Sequence, residues 1–163
     1  MAQPTVLYNL EAQPITPDNF RPYGQVIFAS QDGKCNEADD AQLVLQNGTP
    51  RFYIMRLHNQ GRQFGKITRH CCCTQCLGSL NGKAWFLAVA PPSTANRPNL
   101  SNIAAFRILG DCFVKLEVGT WHAGPYFDSA FVDFYNLELS DTNINDHDTW
   151  DLLANDNVTF EIV

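Results

Sequence analysis

The chain has 163 residues, a hydrophobic fraction of 45%, a charged fraction of only 17% and a formal net charge of -6. This length predicts a single domain over residues 1–163, with a core large enough to be stable without disulfide bonds. The Lys and Arg residues stand singly, so no basic patch favours nucleic acid, and no apolar run is long enough to cross a bilayer.

The cysteines favour a reducing compartment. Three of the 6 cysteines, Cys71–Cys73, are consecutive, whereas an extracellular disulfide framework spreads its cysteines to join distant loops. A zinc site would need a second ligand pair to match Cys73 and Cys76, and the sequence offers none. Buried, reduced thiols are the better interpretation. Since the N-terminus also lacks a basic and apolar leader, we expect a cytoplasmic protein.

The first predicted element is a short helix, and most of the others are strands. Thr16 is a candidate N-cap, Pro17 suits the first helical position, and Pro22 and Gly24 end the helix. Brief apolar or alternating runs predict strands at Val26–Phe28, Leu43–Leu45, Phe52–Leu57, Phe64–Arg69, Trp85–Ala90, Ile103–Leu109, Phe113–Val118, Val132–Leu139 and Val158–Ile162.

Turn residues separate these strands. Gln46-Asn47-Gly48 and Asn81-Gly82 have the composition of hairpin turns. The acidic stretch Asp146–Asp151 predicts a short helix or a solvated surface, and Asp146-His147-Asp148 is typical of a solvated loop. Many short strands with turns between them indicate a sandwich or a barrel.

One motif carries the candidate chemistry. Thr68, His70, Gln75 and Gly82 repeat the spacing of the first motif of metal-binding cupins, in which His-x-His is followed after four residues by Glu and after six more by Gly. The second cupin motif supplies a late His, which here is His122. Alternate residues of a strand share a face, so Thr68 and His70 should both face inward. This resemblance implies an all-β, cupin-like barrel (double-stranded β-helix, or jelly roll) with a few short helices.

Substitutions in the motif argue against a tight metal site. Two histidines and an amide stand where a metal cupin has three histidines and a Glu, and a Gln carbonyl brings no negative charge to a cation. We therefore expect no required cofactor. A divalent metal, if bound, would be held weakly by His70, Gln75 and His122. Two facing imidazoles suit general acid–base catalysis.

The order of several motifs along nearly the whole chain resembles the ureidoglycolate lyase family. These motifs are Phe20–Ile27, Asn47-Gly48 followed by Arg51, Arg69-His70, Thr74-Gln75, Val89-Ala90, Pro98–Leu100 leading into Ala105-Phe106 and Gly110, and Trp121-His122. The chain departs from the family pattern in the three cysteines after His70 and in Ala123, which stands where relatives place a second His.

The resemblance implies a carbon–nitrogen (amidine-type) lyase that splits ureidoglycolate into glyoxylate and urea, in purine or allantoin breakdown, as a homodimer. A base would remove the hydroxyl proton, and urea would leave as its nitrogen is protonated. His70 and His122 are the expected base and acid, in unassigned order, and Gln75 is expected to bond the ureido group. Candidates for substrate binding are Arg51, Lys83 and Lys115 for the carboxylate, Trp121, and Arg69, which strand alternation turns away from His70.

Two other functions stay open at this point. The chain could be a non-catalytic cupin module that binds a small carboxylate or sugar acid. It could also be a metal-dependent cupin enzyme, such as a dioxygenase or isomerase, with a cation at the two histidines. All three interpretations share a small-molecule partner and exclude nucleic acid and membrane.

Overall fold

A computed structural model of the protein describes residues 4–33, 35 and 37–163. Strands dominate it and the helices are short. The elements are β1 Val6–Leu10, β2 Ala12–Pro14, α1 Pro17–Phe20, β3 Gly24–Phe28, β4 Pro50–His58, β5 Gln63–Phe64, β6 Lys66–Arg69, β7 Gln75–Ser79, a 3-10 helix Leu80–Gly82, β8 Trp85–Ala90, a 3-10 helix Leu100–Asn102, β9 Ala104–Ile108, β10 Cys112–Leu116, β11 Trp121–Tyr126, β12 Phe131–Leu139, α2 Thr142–Asn145, β13 Asp148–Asp151, α3 Leu152–Asp156 and β14 Val158–Ile162.

The strands form two large sheets that share one core. The five-stranded sheet has the order β3-β10-β7-β12-β4, and the six-stranded sheet has the order β13-β6-β11-β8-β9-β2. Leu77 and Phe134 of the first sheet pack in the same buried cluster as Leu87 and Phe106 of the second. The inner faces of the two sheets therefore face each other, as in a jelly roll. The prediction of an all-β, cupin-like fold is confirmed, although the described strands form separate sheets.

A third, small sheet covers the outer face of the six-stranded sheet. Its order is β1-β14-β5. Phe160 and Ile162 of β14 belong to a second buried cluster that includes Ala88 and Trp121. Because both faces of β8 are covered, all six of its residues are buried, which explains its continuous apolar sequence.

The predicted N-terminal helix is confirmed as α1. The Thr16 side chain accepts a hydrogen bond from the Asn19 backbone N–H, and the Asn19 side chain accepts one from the Thr16 N–H, which makes a reciprocal cap. At Gly24, a Cβ atom would lie 1.8 Å from the backbone oxygen of Lys115. Only glycine therefore permits β3 to approach β10 this closely.

Several predicted elements differ from the structure. Leu43–Leu45 is not a strand, so the turn at Gln46-Asn47-Gly48 does not close a hairpin. The predicted strand Phe64–Arg69 is divided at Gly65 into β5 and β6, which belong to different sheets. The acidic stretch predicted as a helix or solvated loop contains strand β13, which pairs with β6.

The turn at Asn81-Gly82 joins two sheets instead of two paired strands. Both residues have positive φ, 60° and 62°, as a tight Asn-Gly turn requires. The preceding strand β7 belongs to the five-stranded sheet, whereas the following strand β8 belongs to the six-stranded sheet. The predicted turn is therefore present, and the hairpin is absent at this point of the described chain.

Within the described residues, no helix has the length and apolar character needed to span a membrane.

Candidate active site

The two predicted catalytic histidines lie next to each other. The rings of His70 and His122 are 5.0 Å apart between centroids, although the residues are far apart in the sequence. His122 lies on β11, where it pairs in register with Thr68 of β6 on one side and Val89 of β8 on the other. Val89 belongs to the core between the two large sheets. His122, which is half-buried, therefore faces that space too.

A third imidazole, which sequence analysis missed, completes a histidine cluster of His70, His122 and His147. The His147 ring lies 5.7 Å from the His70 ring. His147 is exposed, and His70 is buried with only 5% of its surface accessible. The cluster therefore extends from the core at His70 to the protein surface at His147.

The turn after β6 fixes the orientation of His70. Asp146, which is buried, accepts hydrogen bonds from the backbone N–H groups of Cys71 and Cys72 at 2.7 Å and 2.8 Å. Its backbone oxygen lies 2.5 Å from Nδ1 of His70. A carbonyl oxygen only accepts hydrogen bonds, so His70 carries a proton on Nδ1 and presents Nε2. Asp146, predicted in a solvated loop, thus holds the site together.

The environment of His122 keeps its ring neutral. Burial of the ring, followed by the positive charge of His70 nearby, lowers the pKa of His122 to about 3. Its Nδ1 lies 3.2 Å from the backbone oxygen of Thr120, so Nε2 is the nitrogen with a free lone pair. Burial and the charge of His70 also lower the pKa of His147. His122 is therefore a neutral proton acceptor at physiological pH.

The lowered pKa of His122 predicts a loss of stability in mild acid. Below the unfolded-state pKa of 6.5 the unfolded chain binds a proton that the folded chain does not, so stability is full above pH 6.5 and falls toward pH 3. Between pH 7 and pH 5 the free energy of unfolding should fall by at most about 2 kcal/mol through this proton. Guanidinium chloride unfolding at the two pH values measures the difference, which should shrink in a His122→Gln variant.

The matched control is His58→Gln, which removes an exposed imidazole on β4, outside the histidine cluster. It should keep the pH dependence of the parent. The interval from pH 7 to 5 also avoids Asp133 and Asp151, whose lowered pKa values matter only in stronger acid. An equal loss of stability in the parent and in His122→Gln would contradict this assignment.

Near the histidines lies a polar network of the buried residues Gln75, Asn136 and Glu138 and the half-buried Tyr53. Gln75 Nε2 donates to Glu138 Oε2 at 2.9 Å and to Asn136 Oδ1 at 3.1 Å. The Tyr53 hydroxyl donates to Glu138 Oε1 at 3.1 Å and accepts from Asn136 Nδ2 at 3.0 Å. Asn143 of α2 lies 3.5 Å from Glu138, and Asp146, directly after α2, bonds His70, so one short segment contacts both the polar network and the histidine cluster.

Of the predicted carboxylate-binding residues, Arg51 is the one that shares the face of the polar network. It pairs in register with Glu138, and its guanidinium lies 3.6 Å from the centre of the Tyr53 ring. Arg51 is exposed, so it stands at the solvent end of the network. A guanidinium in this position has the fork of N–H groups that suits a carboxylate.

Lys115 and Lys83 lie elsewhere. Lys115 pairs with Cys76 and alternates with the core residues Val114 and Leu116, so its side chain leaves the other face of the sheet. There it is fully buried and bonded to Glu117. Lys83 is exposed and lies two residues before β8. The strand from Trp85 to Val89, the partner of His122, spans about 13 Å, so Lys83 lies at the far end of β8 from His122.

Arg69 and Trp121 form a structural pair behind the histidines. The guanidinium of Arg69 lies 4.4 Å from the centre of the Trp121 ring, and its Nε bonds Asp148 at 2.7 Å. Trp121 is fully buried in the second hydrophobic cluster, on the opposite face of β11 from His122. The structure thus places both residues away from the inner face, as strand alternation predicts for Arg69.

The described residues do not fit a metal site with three protein ligands. No three His, Cys, Asp or Glu side chains in this part of the chain are grouped to hold a metal ion. The donors of the predicted weak site are two imidazoles and the neutral carbonyl of Gln75, whose N–H groups face Glu138 and Asn136. This donor set does not suit a tightly bound divalent cation.

The cysteines are free, but their burial differs from the prediction. Cys73, Cys76 and Cys112 are buried, whereas Cys71 and Cys72 are exposed in the turn that Asp146 holds. Burial raises the pKa of Cys76 to about 11, and the charge of Asp146 and burial raise that of Cys72. These thiols are therefore weak nucleophiles at neutral pH.

Comparison with known proteins supports the resemblance seen in the motifs. Residues 7–152 match the family model described as ureidoglycolate lyase. The chain is also 24% identical to the ureidoglycolate lyase of Saccharomyces cerevisiae over a 148-residue alignment, which covers 69% of this chain and 75% of that protein. The segment matched by the family model includes the whole histidine cluster and the whole polar network. Because the model spans most of the sequence, the chain belongs to the ureidoglycolate lyase family.

Proposed function

We propose that the chain cleaves ureidoglycolate to glyoxylate and urea at the histidine cluster. Family membership supports lyase chemistry. The observation that carries the mechanism is the pair of imidazoles 5.0 Å apart, each with Nδ1 bonded to a backbone oxygen and Nε2 free. One such ring can accept a proton on Nε2, and the other can supply one from Nε2 when that nitrogen is protonated.

The reaction needs one proton removed and one added. We assign the base to His122, because its low pKa leaves Nε2 unprotonated. As His122 takes the hydroxyl proton, the electrons of that O–H bond form the aldehyde carbonyl of glyoxylate and the carbon–nitrogen bond breaks. We assign the acid to His70, which acts as the imidazolium: it keeps its proton on Nδ1 and transfers a second proton from Nε2 to the departing urea nitrogen.

The substrate carboxylate pairs with Arg51, at the solvent end of the site, through the fork of its guanidinium. Glu138 would repel a carboxylate placed deeper, which favours one orientation of the substrate. No cofactor takes part in this mechanism. We further propose that the protein acts in the cytoplasm as a homodimer, in purine or allantoin breakdown, as the family resemblance suggests.

The direct test is release of glyoxylate from ureidoglycolate by the purified protein, trapped as a hydrazone, after dialysis against a chelator. Turnover well above the spontaneous rate, unchanged by the chelator, is the expected result. A rate equal to the spontaneous one would overturn the proposal and favour a non-catalytic binding module. Activity lost on chelation and restored by a divalent cation would instead favour a metal-dependent enzyme.

A further inference from the structure

The hydrogen-bonding direction in the polar network is fixed by Glu138. A carboxylate accepts hydrogen bonds and donates none, so the Gln75 atom that faces it must be the Nε2 amide nitrogen. Nε2 makes a second bond to Asn136 Oδ1, which uses both of its N–H groups. Gln75 Oε1 must therefore point away from Glu138 and Asn136.

This oxygen has no hydrogen-bond partner within the described part of the protein. Gln75 is buried, with 8% of its surface accessible, and strand alternation places it on the inner face with Leu77. Nearly all buried polar atoms in proteins are paired, and an exception calls for a ligand, a water molecule or a function. Gln75 Oε1 is thus a buried hydrogen-bond acceptor that lacks a donor among the described residues.

A second acceptor lies beside it. Glu138 is almost fully buried, and its two oxygens receive single bonds from Gln75 and Tyr53, with a long contact of 3.5 Å from Asn143. Each carboxylate oxygen has two lone pairs, so capacity for further N–H groups remains. Arg51, which pairs with Glu138 across the two strands, stands at the exposed end of the site.

We propose that Gln75 Oε1 and Glu138 form a subsite for the N–H groups of a urea-type ligand end. This inference rests on the proposed function and adds the basis of substrate selection. A ureido group offers neutral N–H donors, which match two acceptors. A carboxylate offers only acceptors and would be repelled by Glu138, so it is directed toward Arg51. The subsite therefore distinguishes the two ends of the substrate and retains urea after the carbon–nitrogen bond breaks.

Binding of urea alone tests the subsite without any turnover. Urea is titrated at concentrations far below denaturing ones into isotope-labelled protein, and amide shifts near Gln75 are followed by NMR. We expect weak, saturable binding, and no binding of tetramethylurea, which has no N–H group. A Gln75→Met variant should bind urea about tenfold more weakly, the usual cost of one lost hydrogen bond. Glu138→Gln, which keeps the side-chain size, should weaken it similarly.

Arg51→Met is the matched control. It should weaken binding of glyoxylate and leave binding of urea unchanged, whereas Gln75→Met should do the reverse. Equal urea affinity in the parent, Gln75→Met and Glu138→Gln would overturn the subsite, and so would binding of tetramethylurea as tight as that of urea. If glyoxylate is released but urea does not bind here, the subsite is wrong and the lyase proposal stands. If urea binds here without turnover, the subsite stands and the lyase proposal fails.

Discussion

Replacing His122 by glutamine is expected to lower kcat/KM for glyoxylate release by about 10²–10⁴-fold, the usual contribution of a general base. Glutamine is close to histidine in size and can still donate to the Thr120 oxygen, but its amide does not accept a proton in this pH range. The loss should appear in kcat with little change in KM, because Arg51 and the polar network still bind the substrate. Steady-state kinetics with trapped glyoxylate measures both constants.

The same assay on other histidine variants separates catalysis from structure. His70→Gln should lower kcat/KM by a similar factor. The His70→Gln, His122→Gln double variant should lower kcat/KM little further than either single variant, since the two rings act as one unit. His58→Gln should match the parent, because His58 lies outside the histidine cluster. If His122→Gln released glyoxylate as fast as the parent, His122 would have no place in the mechanism.

Much of the fold could be predicted where local patterns agree with tertiary structure. β8 and β14 have the predicted bounds, because long apolar or alternating runs end at clear breaks. β7 and β11 were missed as strands, since Gln75–Ser79 and Trp121–Tyr126 contain small or polar residues and acquire their burial from neighbouring strands. Leu43–Leu45 has strand composition but is held by bonds between Val44 and Thr74 instead of a ladder.

About half of the candidate site could be predicted from the sequence. The spacing of the two motifs predicts that His70 and His122 lie close together, because this spacing follows the alternation of side chains along strands. The same alternation along Val132–Leu139 would have placed Glu138 on the inner face and, along Phe113–Val118, would have turned Lys115 outward. His147 could not be found in this way, because it reaches His70 through a turn that Asp146 anchors. Such a contact between distant segments leaves no period in the sequence.

Replacing Phe106 by alanine is expected to destabilise the protein by about 3–5 kcal/mol, the range for removal of a buried aromatic side chain. Phe106 is 2% exposed on β9. Its ring makes edge contacts with Phe20 at 5.3 Å and with Tyr23 at 5.6 Å. The end of α1 and the segment after it therefore pack on the six-stranded sheet through this ring. Guanidinium chloride unfolding is the appropriate measurement, because urea is a proposed ligand.

Phe52→Ala is the matched control, since Phe52 is 65% exposed on the outer face of β4. This substitution should lower the free energy of unfolding by less than about 1 kcal/mol. Phe20→Ala should lower the free energy of unfolding nearly as much as Phe106→Ala. The double variant should lower it by less than the sum of the two single effects, because the two rings contact each other. Strict additivity, or a Phe106→Ala variant as stable as the parent, would mean that this contact does not hold the N-terminal segment. The Phe20–Ile27 motif would then need a role other than packing.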